Sequence, residues 1–240
     1  MPESLTLRNI LDDAAIFSFE HQLHLQEVLG QHSWNVDLNK PLFQFTGSNP
    51  IVCTNFHLLG TAAPGPRSWL WAWANPSGFP EPLTALSKTL RDFGHQYGIA
   101  EFTSAEVPFD KLPTPVGEPP VVAGLLAEAA KTVTGRWTSY VGDAGGGTWV
   151  AFLVEHPAFQ LPPPEPARVM RVIQQAIAEI PLSDHRRALY GYAVRRQLEA
   201  TFTDQGKLVI TGPGFEAAVD FDQYSRVAAI NASLSSPHDA

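Results

Sequence analysis

The sequence predicts an α+β fold in which antiparallel β-meanders pack against helices. Three observations lead to this prediction. Short apolar segments are separated by turn-forming residues, which is typical of strands joined by hairpins. Longer segments repeat their apolar residues every three or four positions, which indicates amphipathic helices. Finally, Ser68–Ala74 carries tryptophan at every second position, and this alternation places Trp69, Trp71 and Trp73 on one face of a strand.

The first part of the chain is predicted to form a helix and then a four-stranded meander. The helix spans residues 10–29, because Ile16, Phe19 and Leu23 form one apolar line and Gly30 can end it. Segments rich in proline, glycine and asparagine separate the strands, and these residues are typical of turns. The strands are expected at Trp34–Leu38, Leu42–Thr46, Ile51–Thr61 and Ser68–Ala74.

A second helix, a short strand and a linker should follow the meander. The helix has Pro82 in its first turn, an apolar stripe at helical spacing, and Gly94 or Gly98 at its end. Glu101–Phe109 is interpreted as a short strand. Residues 108–120 hold five prolines, too many for regular structure, and are the predicted linker.

The rest of the chain is predicted to contain three helices and six strands. The helices are expected at residues 120–134, from Val169 to Ile180, and from an N-cap at Ser183 to about residue 199. The strands are expected at Trp137–Val141, Thr148–Val154, 200–203, 207–211, 215–221 and 226–231.

The predicted domain organisation is two α+β lobes, residues 1–110 and residues 118–240, with one compact unit as the alternative. A strand, a proline-rich corner and a helix occur in the same order in both halves. An ancient duplication would explain this repeat, and a cleft between related lobes would be a natural ligand site; two unrelated corners of similar sequence are the alternative. The corresponding residues, about eighty positions apart, are Gly60 and Gly142, Trp69 and Trp149, and Phe79 and Phe159.

The tryptophan segment permits two interpretations. Each indole can bury about 150–250 Å², so that packing in the core alone would explain the segment. Alternatively, Trp69, Trp71 and Trp73 form the aromatic wall of a ligand pocket, and Asn75 points into it. A side chain that closes the strand through a hydrogen bond to the backbone is the other role open to Asn75.

A basic segment begins at the predicted cap Ser183. It places His185, Arg186, Arg187 and Tyr190 on one helix of an acidic protein, and arginine can hold a carboxylate or phosphate through two hydrogen bonds. A surface helix with ion pairs to Asp and Glu is the favoured interpretation of this segment, and anion binding is the alternative. Glycine in a helix costs about 1 kcal/mol relative to alanine, so Gly191 suggests a close backbone contact or a role in binding.

Other motifs give no sign of catalysis or metal binding. Gly142–Gly147 lacks the Lys-Ser/Thr of a phosphate loop and precedes a strand, so a hairpin loop is expected. His21 and His24 are spaced for a shared metal, but there is no second histidine pair. Asp220 and Asp222 could bind a cation, but a solvated strand end is the favoured interpretation. No cofactor, metal or catalytic residue is therefore predicted.

Composition limits the classes of partner. The net charge of −8 and the isoelectric point near 5.4 argue against nucleic acid and anionic membranes. No apolar run is long enough to cross a bilayer, and the N-terminus lacks the pattern of a signal peptide. Cys53 is the only cysteine and is expected to be an inert buried thiol. These features predict a cytoplasmic protein.

The Trp69–Asn75 segment resembles a family of uncharacterised bacterial proteins that share a Trp-x-Trp-Ala-Trp-x-Asn signature. The similarity extends over residues 10–105 and includes Leu59-Gly60 before the tryptophan segment and Glu101-Phe102-Thr103 after it. Membership of that family would imply no activity, because no function is assigned to it.

The leading prediction is a non-enzymatic module that binds a small anionic ligand or a protein partner. An enzyme that acts on a small anionic substrate, with His185, Arg186 and Arg187 near the tryptophan wall, is the first alternative. A structural or assembly protein, for example a homodimer, is the second.

Overall fold

The computed structural model describes residues 5–113 and 117–234, and within them the α+β prediction is confirmed. The described residues form two compact units, in which helices accompany antiparallel sheets. The first unit contains residues 5–11 and 21–160, and the second contains residues 12–20 and 161–234.

The first helix, α1 (Leu7–Leu29), begins three residues before its predicted start. The cause is a capping box: the Thr6 hydroxyl accepts from the backbone N–H of Asn9 (3.2 Å), and the Asn9 side chain accepts from the backbone N–H of Thr6 (3.0 Å). Gly30 ends the helix as predicted. Asparagine replaces the usual Glu or Gln of this motif, which is why the sequence pattern did not reveal it.

Eight strands form two antiparallel sheets in the first unit. They are β1 (His32–Asp37), β2 (Leu42–Gly47), β3 (Ile51–Val52), β4 (Asn55–Ala63), β5 (Ser68–Trp71), β6 (Glu106–Pro108), β7 (Ser139–Gly145) and β8 (Thr148–Glu155). The small sheet has the order β1-β2-β3, and the large sheet has the order β6-β5-β4-β8-β7.

The predicted strand Ile51–Thr61 is two strands, β3 and β4, which belong to different sheets. Cys53 and Thr54 separate them. The backbone N–H of Cys53 donates to the Phe43 carbonyl in the small sheet (2.9 Å), whereas that of Thr54 donates to the Glu155 carbonyl in the large sheet (2.8 Å). The chain therefore changes sheets at this point.

The large sheet crosses the predicted linker. Strand β6 ends at Pro108, where the predicted linker begins, and β7 and β8 follow the linker, yet all three strands belong to one sheet. The chain passes from one unit to the other after Leu11, Glu20 and Gln160. Residues 114–116 of the predicted linker lie outside the described residues.

The tryptophan segment is only partly a strand. Strand β5 ends at Trp71, and Ala72–Ala74 form a 3-10 turn closed by a hydrogen bond from the Asn75 N–H to the Ala72 carbonyl (3.3 Å). The prediction that three tryptophans share one strand face is therefore wrong for Trp73. The reason is tertiary, because the pairing of β5 with β4 ends at Trp71 opposite Gly60.

Trp69 and Trp71 do share a face of β5, and both are completely buried. Their rings meet edge to face with centroids 5.3 Å apart. The Trp71 indole N–H donates to the Glu101 carbonyl (2.8 Å), whereas that of Trp69 has no hydrogen-bond partner among the described residues.

Three helices complete the first unit: α2 (Glu81–Tyr97), α3 (Ala100–Thr103) and α4 (Pro119–Thr134). Gly98 and Gly135 end α2 and α4 in the left-handed conformation, as predicted. The strand predicted at Glu101–Phe109 is mostly wrong. This segment contains α3, the short strand β6 and a 3-10 turn, because the chain reverses at Gly98 and buries Phe102 from a helical turn.

Both faces of the large sheet are buried. Along β8, Ala151 and Leu153 join a cluster that includes side chains of β5, α3 and α4. The alternate residues Val150, Phe152 and Val154 join a second cluster that includes the small sheet and the end of α1. The strand is therefore apolar on both sides, which accounts for its continuous run of hydrophobic residues.

The second unit contains α5 (Pro166–Glu179) and α6 (His185–Arg195), together with a four-stranded antiparallel meander. Alternate residues of its strands are buried, for example Leu208 and Ile210, and Phe215, Ala217 and Val219. The strands β9 (Glu199–Phe202), β10 (Leu208–Gly212), β11 (Phe215–Phe221) and β12 (Val227–Leu234) follow one another in the order β12-β11-β10-β9.

The predicted N-cap of α6 is wrong by one residue. The Asp184 carboxylate accepts from the backbone N–H of Arg187 (3.0 Å) and caps the helix. Ser183 instead donates its backbone N–H to the carboxylate of Asp12 (2.9 Å). Helix α6 also ends earlier than predicted, at Arg195, and β9 begins at Glu199.

No helix among residues 5–113 and 117–234 combines the length and the hydropathy needed to cross a membrane.

The duplication remains a hypothesis. Gly60 and Gly142 lie on β4 and β7, the first strands of two hairpins, and Trp69 and Trp149 lie on β5 and β8, the second strands.

Replacing each buried tryptophan by phenylalanine tests the hydrogen bond of Trp71. Both changes remove a similar volume, but Trp71→Phe also leaves the Glu101 carbonyl without its donor. We expect Trp71→Phe to lower the free energy of unfolding by about 1–2 kcal/mol more than Trp69→Phe, as measured by urea denaturation and circular dichroism. Equal losses would contradict this role for the Trp71 N–H.

Two glycine substitutions should have opposite effects. A Cβ at Gly142 would lie 2.3 Å from Cζ2 of Trp34, whereas a Cβ at Gly124, inside α4, would meet nothing within 4 Å. We expect Gly142→Ala to lower the free energy of unfolding by about 1–3 kcal/mol. Gly124→Ala should raise it by about 1 kcal/mol through helix propensity. The same denaturation measurement checks both, and destabilisation by Gly124→Ala would contradict the open space around it.

Candidate functional site

The first unit contains a cleft of about 360 Å³ at the end of β8. Four segments line it: His21 of α1, Thr54 before β4, the residues that follow α4, and the end of β8 with the turn after it. The polar or aromatic side chains that matter here are His21, Thr54, Arg136, Trp137, Glu155 and His156.

Local sequence explains how the two long walls form. Gly135 has a φ of +67° and turns the chain at the end of α4, so that residues 136–138 lead toward β7. The Thr138 carbonyl then accepts the backbone N–H of Val154 (3.0 Å). On the opposite wall, β8 ends at Glu155 and a 3-10 turn begins at Pro157.

Glu155 is the centre of a polar cluster at the cleft. Its Oε1 atom accepts from Arg136 Nε (3.1 Å) and from Asn55 Nδ2 (3.4 Å), and it lies 3.5 Å from His57 Nε2. Asn55 is directly opposite Glu155 in the β4–β8 pairing, and His57 is two residues further along β4. The alternation of a strand therefore places Asn55, His57 and Glu155 on one face.

The Arg136 guanidinium is held at one end only. Its Nε donates to Glu155, and its two terminal nitrogens have no acceptor among the described residues. The side chain is 47% exposed and lines the cleft. Four N–H donors of a positively charged group, fixed in direction by Glu155, are therefore available to a ligand.

Two imidazoles also line the cleft. His156 Nδ1 accepts from the backbone N–H of Ala158 (3.1 Å), so its ring proton lies on Nε2, which can donate to a ligand. The ring of His21 stacks on that of Trp137, with centroids 6.4 Å apart and planes inclined by 25°. The cleft thus offers donors, one carboxylate and an aromatic surface.

This arrangement suits a small anion better than a metal ion. Among the described residues, no three His, Cys, Asp or Glu side chains come together in a geometry that could hold a metal. Thr54 is not an activated nucleophile, because its hydroxyl donates to the Glu155 carbonyl (2.9 Å). Cys53, one residue before it, is partly buried, and burial raises the pKa of its thiol to about 12.

The tryptophan wall lies elsewhere in the first unit. None of Trp69, Trp71, Trp73 and Asn75 lines the cleft. Trp69 and Trp71 have no exposed surface, the Arg91 guanidinium lies over the ring of Trp73 (5.6 Å), and Asn75 accepts from the Ser77 N–H (2.9 Å). These contacts agree with packing in the core for the tryptophans and with a hydrogen bond to the backbone at the end of the strand for Asn75. A ligand-binding role for the four residues remains a prediction.

Comparison with protein families places most of this unit in a family of unknown function, DUF6882, whose model matches residues 8–157. The match covers more than half of the chain. The chain belongs to this family. The family membership predicted from the sequence is thereby confirmed, whereas the bacterial origin and the tryptophan signature remain predictions. No curated protein and no solved structure gave a significant match.

The DUF6882 match includes Arg136, Glu155 and His156, but it ends before the second unit resumes at residue 161. The basic helix α6 therefore lies outside it. The cleft and the predicted residues His185, Arg186, Arg187 and Tyr190 belong to separate parts of the chain, of which only the first is covered by DUF6882.

Within the second unit, the arginines of α6 already have partners. Arg187 forms a two-pronged ion pair with Asp13, with Nε–Oδ1 and Nη2–Oδ2 distances of 2.8 and 2.7 Å. These hydrogen bonds to Asp13 raise the pKa of Arg187 above its ordinary value. The Arg186 guanidinium lies over the rings of Phe202 (4.8 Å) and Phe221 (5.2 Å). These contacts are those of a helix tied into its own unit.

Tyr190 and His185 are the other residues of α6 that were predicted to bind an anion. Tyr190 is 44% exposed and stacks on Phe202, and His185 is the first residue of the helix. The close backbone contact expected at Gly191 is confirmed, because a Cβ there would lie 3.2 Å from the Asp13 carbonyl oxygen. Binding of an anion by His185, Arg186, Arg187 and Tyr190 remains a prediction.

A buried charge cluster in the second unit was not predicted. The completely buried carboxylate of Glu20 accepts from Arg168 Nε (3.1 Å), Arg196 Nη2 (3.2 Å) and the Tyr192 hydroxyl (3.0 Å). Burial, with Glu20 nearby, raises the pKa of Tyr192 well above its ordinary value. No sequence signal pairs Glu20 with residues so distant in the chain.

The strand-end aspartates are also accounted for. Asp220 pairs with Lys207 (2.8 Å), and Asp222 accepts from the side chain of Arg226 (2.9 Å) and from two backbone N–H groups of the β11–β12 turn. Backbone N–H donation lowers the pKa of Asp222. The interpretation as a solvated strand end is favoured.

Asp12 predicts an unusual pH dependence of stability. Burial raises its pKa above 3.8, although the hydroxyl and the backbone N–H of Ser183 donate to it and oppose the shift. The folded state therefore binds more protons than the unfolded state just above pH 3.8, and the free energy of unfolding falls as the pH rises through this window.

We expect Asp12→Asn to be at least as stable as the wild type at neutral pH, because an asparagine amide can make both bonds to Ser183 without a buried charge. The advantage should shrink as the pH falls toward 3.8, where wild-type Asp12 becomes protonated in the folded state, and should change no further below that pH. The matched control Asp13→Asn should lose about 1 kcal/mol at neutral pH by weakening its pair with Arg187. Urea denaturation across the pH range measures both, and a less stable Asp12→Asn at neutral pH would contradict the argument.

Proposed function

We propose that the first unit is a binding module for a small anionic molecule, held in the cleft by Arg136. The observation that carries this proposal is that the Arg136 guanidinium has a protein hydrogen-bond acceptor only at Nε among the described residues. Glu155 orients Arg136 through Nε, Arg136 lines the cleft, and its terminal nitrogens have no protein acceptor among the described residues. Such a fork matches the two oxygens of a carboxylate or phosphate.

The neighbouring groups fit the same ligand class. The Nε2–H of His156 supplies another donor, and Trp137 supplies a flat apolar surface for the body of the molecule. A cleft of about 360 Å³ has the size of a small-metabolite site. The lone cysteine leaves no intramolecular disulfide, and we place the module in the cytoplasm.

An enzyme that acts on a small anionic substrate is the second candidate. Two titratable side chains, Glu155 and His156, line the cleft and could exchange protons with a substrate. The binding module is favoured over the enzyme because Oε1 of Glu155 already accepts from Arg136 and Asn55. A protein partner and a homodimer remain predictions.

Replacing Arg136 should abolish anion binding. Sulfate, inorganic phosphate and acetate are the probes, and titration calorimetry gives the dissociation constants. We expect at least one probe to bind the wild type, Arg136→Lys to bind it about tenfold more weakly, a change of about 1.4 kcal/mol, and Arg136→Gln not to bind it. The ion pair of Arg136 is exposed, so its loss should change stability by about 1 kcal/mol at most.

Arg91→Gln is the matched control, because Arg91 lies on α2 of the same unit and does not line the cleft. It should bind the probe as the wild type does. The proposal would be overturned if no probe bound the wild type, or if Arg136→Gln kept full affinity. A turnover measurement with a bound organic anion would distinguish the enzyme from the module.

A further inference from the structure

The buried histidine beside the cleft has one nitrogen whose role is determined by its surroundings. His57 Nδ1 lies 3.2 Å from the carbonyl oxygen of Pro82 at the start of α2. A carbonyl can only accept a hydrogen bond, so Nδ1 carries a proton in both charge states of the ring. Nε2 is therefore the nitrogen that gains or loses a proton.

Nε2 has two polar neighbours, one that suits the neutral ring and one that suits the protonated ring. Asn55 Nδ2 lies 3.2 Å from Nε2, and Glu155 Oε1 lies 3.5 Å from it. Neutral His57 accepts a hydrogen bond from the Asn55 amide. Protonated His57 cannot accept, and its new N–H must donate to Glu155, the nearest acceptor.

Glu155 Oε1 cannot serve every donor equally. A carboxylate oxygen has about two lone pairs, and Arg136 and Asn55 already use them in the neutral state. A third, charged donor from the buried ring competes with Arg136, whose side chain is far more exposed than that of His57 (47% against 11%). Water can replace either donor, because Asn55 is exposed as well, but only Arg136 carries a positive charge that protonated His57 would repel.

The charge balance leads to the same conclusion. When His57 is neutral, the positive charge of Arg136 and the negative charge of Glu155 cancel. With protonated His57, the cluster carries one net positive charge beside the cleft. The other groups around the ring do not offset this change, because the α2 group facing it is a carbonyl and the adjacent Glu81 pairs with Lys88 (3.1 Å).

We infer that His57 is a positioning residue for Arg136: its protonation draws Glu155 away from the guanidinium and raises the affinity of the cleft for anions. This inference rests on the proposed function and adds a control by pH. His57 has no contact with the ligand in this scheme and acts through Glu155. The freed Nε of Arg136 also becomes available, so that an anion can bind side-on as well as end-on.

The first experiment measures sulfate binding by titration calorimetry at about pH 5.5 and about pH 8, on either side of the range in which histidines titrate. Sulfate keeps its charge across this range. We expect wild-type affinity to be greater at the lower pH by a factor on the order of five, the lower end of typical coupling between sites. His57→Gln should remove this pH dependence, whereas the control His32→Gln, outside the cleft, should keep it.

Other titratable groups in the cleft make the control informative. His21 and His156 line it as well, so a pH dependence that survived in His57→Gln would overturn the inference. A second variant keeps the test independent of the histidine substitution. Glu155→Gln removes the carboxylate for which His57 and Arg136 compete, and it should bind sulfate with similar affinity at both pH values.

The second experiment needs no ligand. The ¹⁵N NMR signal of Arg136 Nε in anion-free protein should show loss of its hydrogen bond at the lower pH in the wild type, but not in His57→Gln. If the signal changes and sulfate fails to bind at both pH values, the proposed function is overturned and the coupling of His57 to Arg136 stands. If sulfate binds equally at both pH values, the coupling is overturned and the proposed function stands.

Discussion

The antiparallel pairing of β4 with β8 is the constraint on which the first unit depends. These two strands are the centre of the large sheet, and they connect its halves, β5–β6 on one side and β7 on the other. Their side chains alternate between two buried clusters, so a shift of one residue would exchange the faces. The same register sets Asn55 opposite Glu155 and so assembles the polar cluster at the cleft.

The charge clusters around Glu20 and Glu155 differ in how deeply they are buried. Glu20 in the second unit is completely buried with Arg168, Arg196 and Tyr192, and removing one partner would leave an uncompensated charge. Glu155 in the first unit is 32% exposed, and water can replace any of its donors. The first arrangement suits a fixed structural contact, whereas the second suits an exchange of partners when a ligand or a proton arrives.

Much of the fold could be predicted from local signals. Helix ends at Gly30, Gly98 and Gly135 follow from the backbone freedom of glycine, and the contact at Gly191 follows from its cost in a helix. Errors occurred where pairing decided the outcome. Strand β5 stops at Trp71 because its pairing with β4 ends there, opposite Gly60. The candidate cleft could not be predicted, because His21 and Thr54 are distant in sequence from residues 135–160, which form the rest of its lining, and only tertiary packing brings them together.

The sequence by itself determined the α+β class, most helices and strands, and membership of a family of unknown function. These depend on periodicity, on turn residues and on a local motif, all of which act over a few neighbouring residues. Only the tertiary structure decided which strands share a sheet, where the two units divide the chain, and which polar side chains meet. Such contacts join distant segments, and the free energy that selects them comes from burial of both faces of a sheet at once.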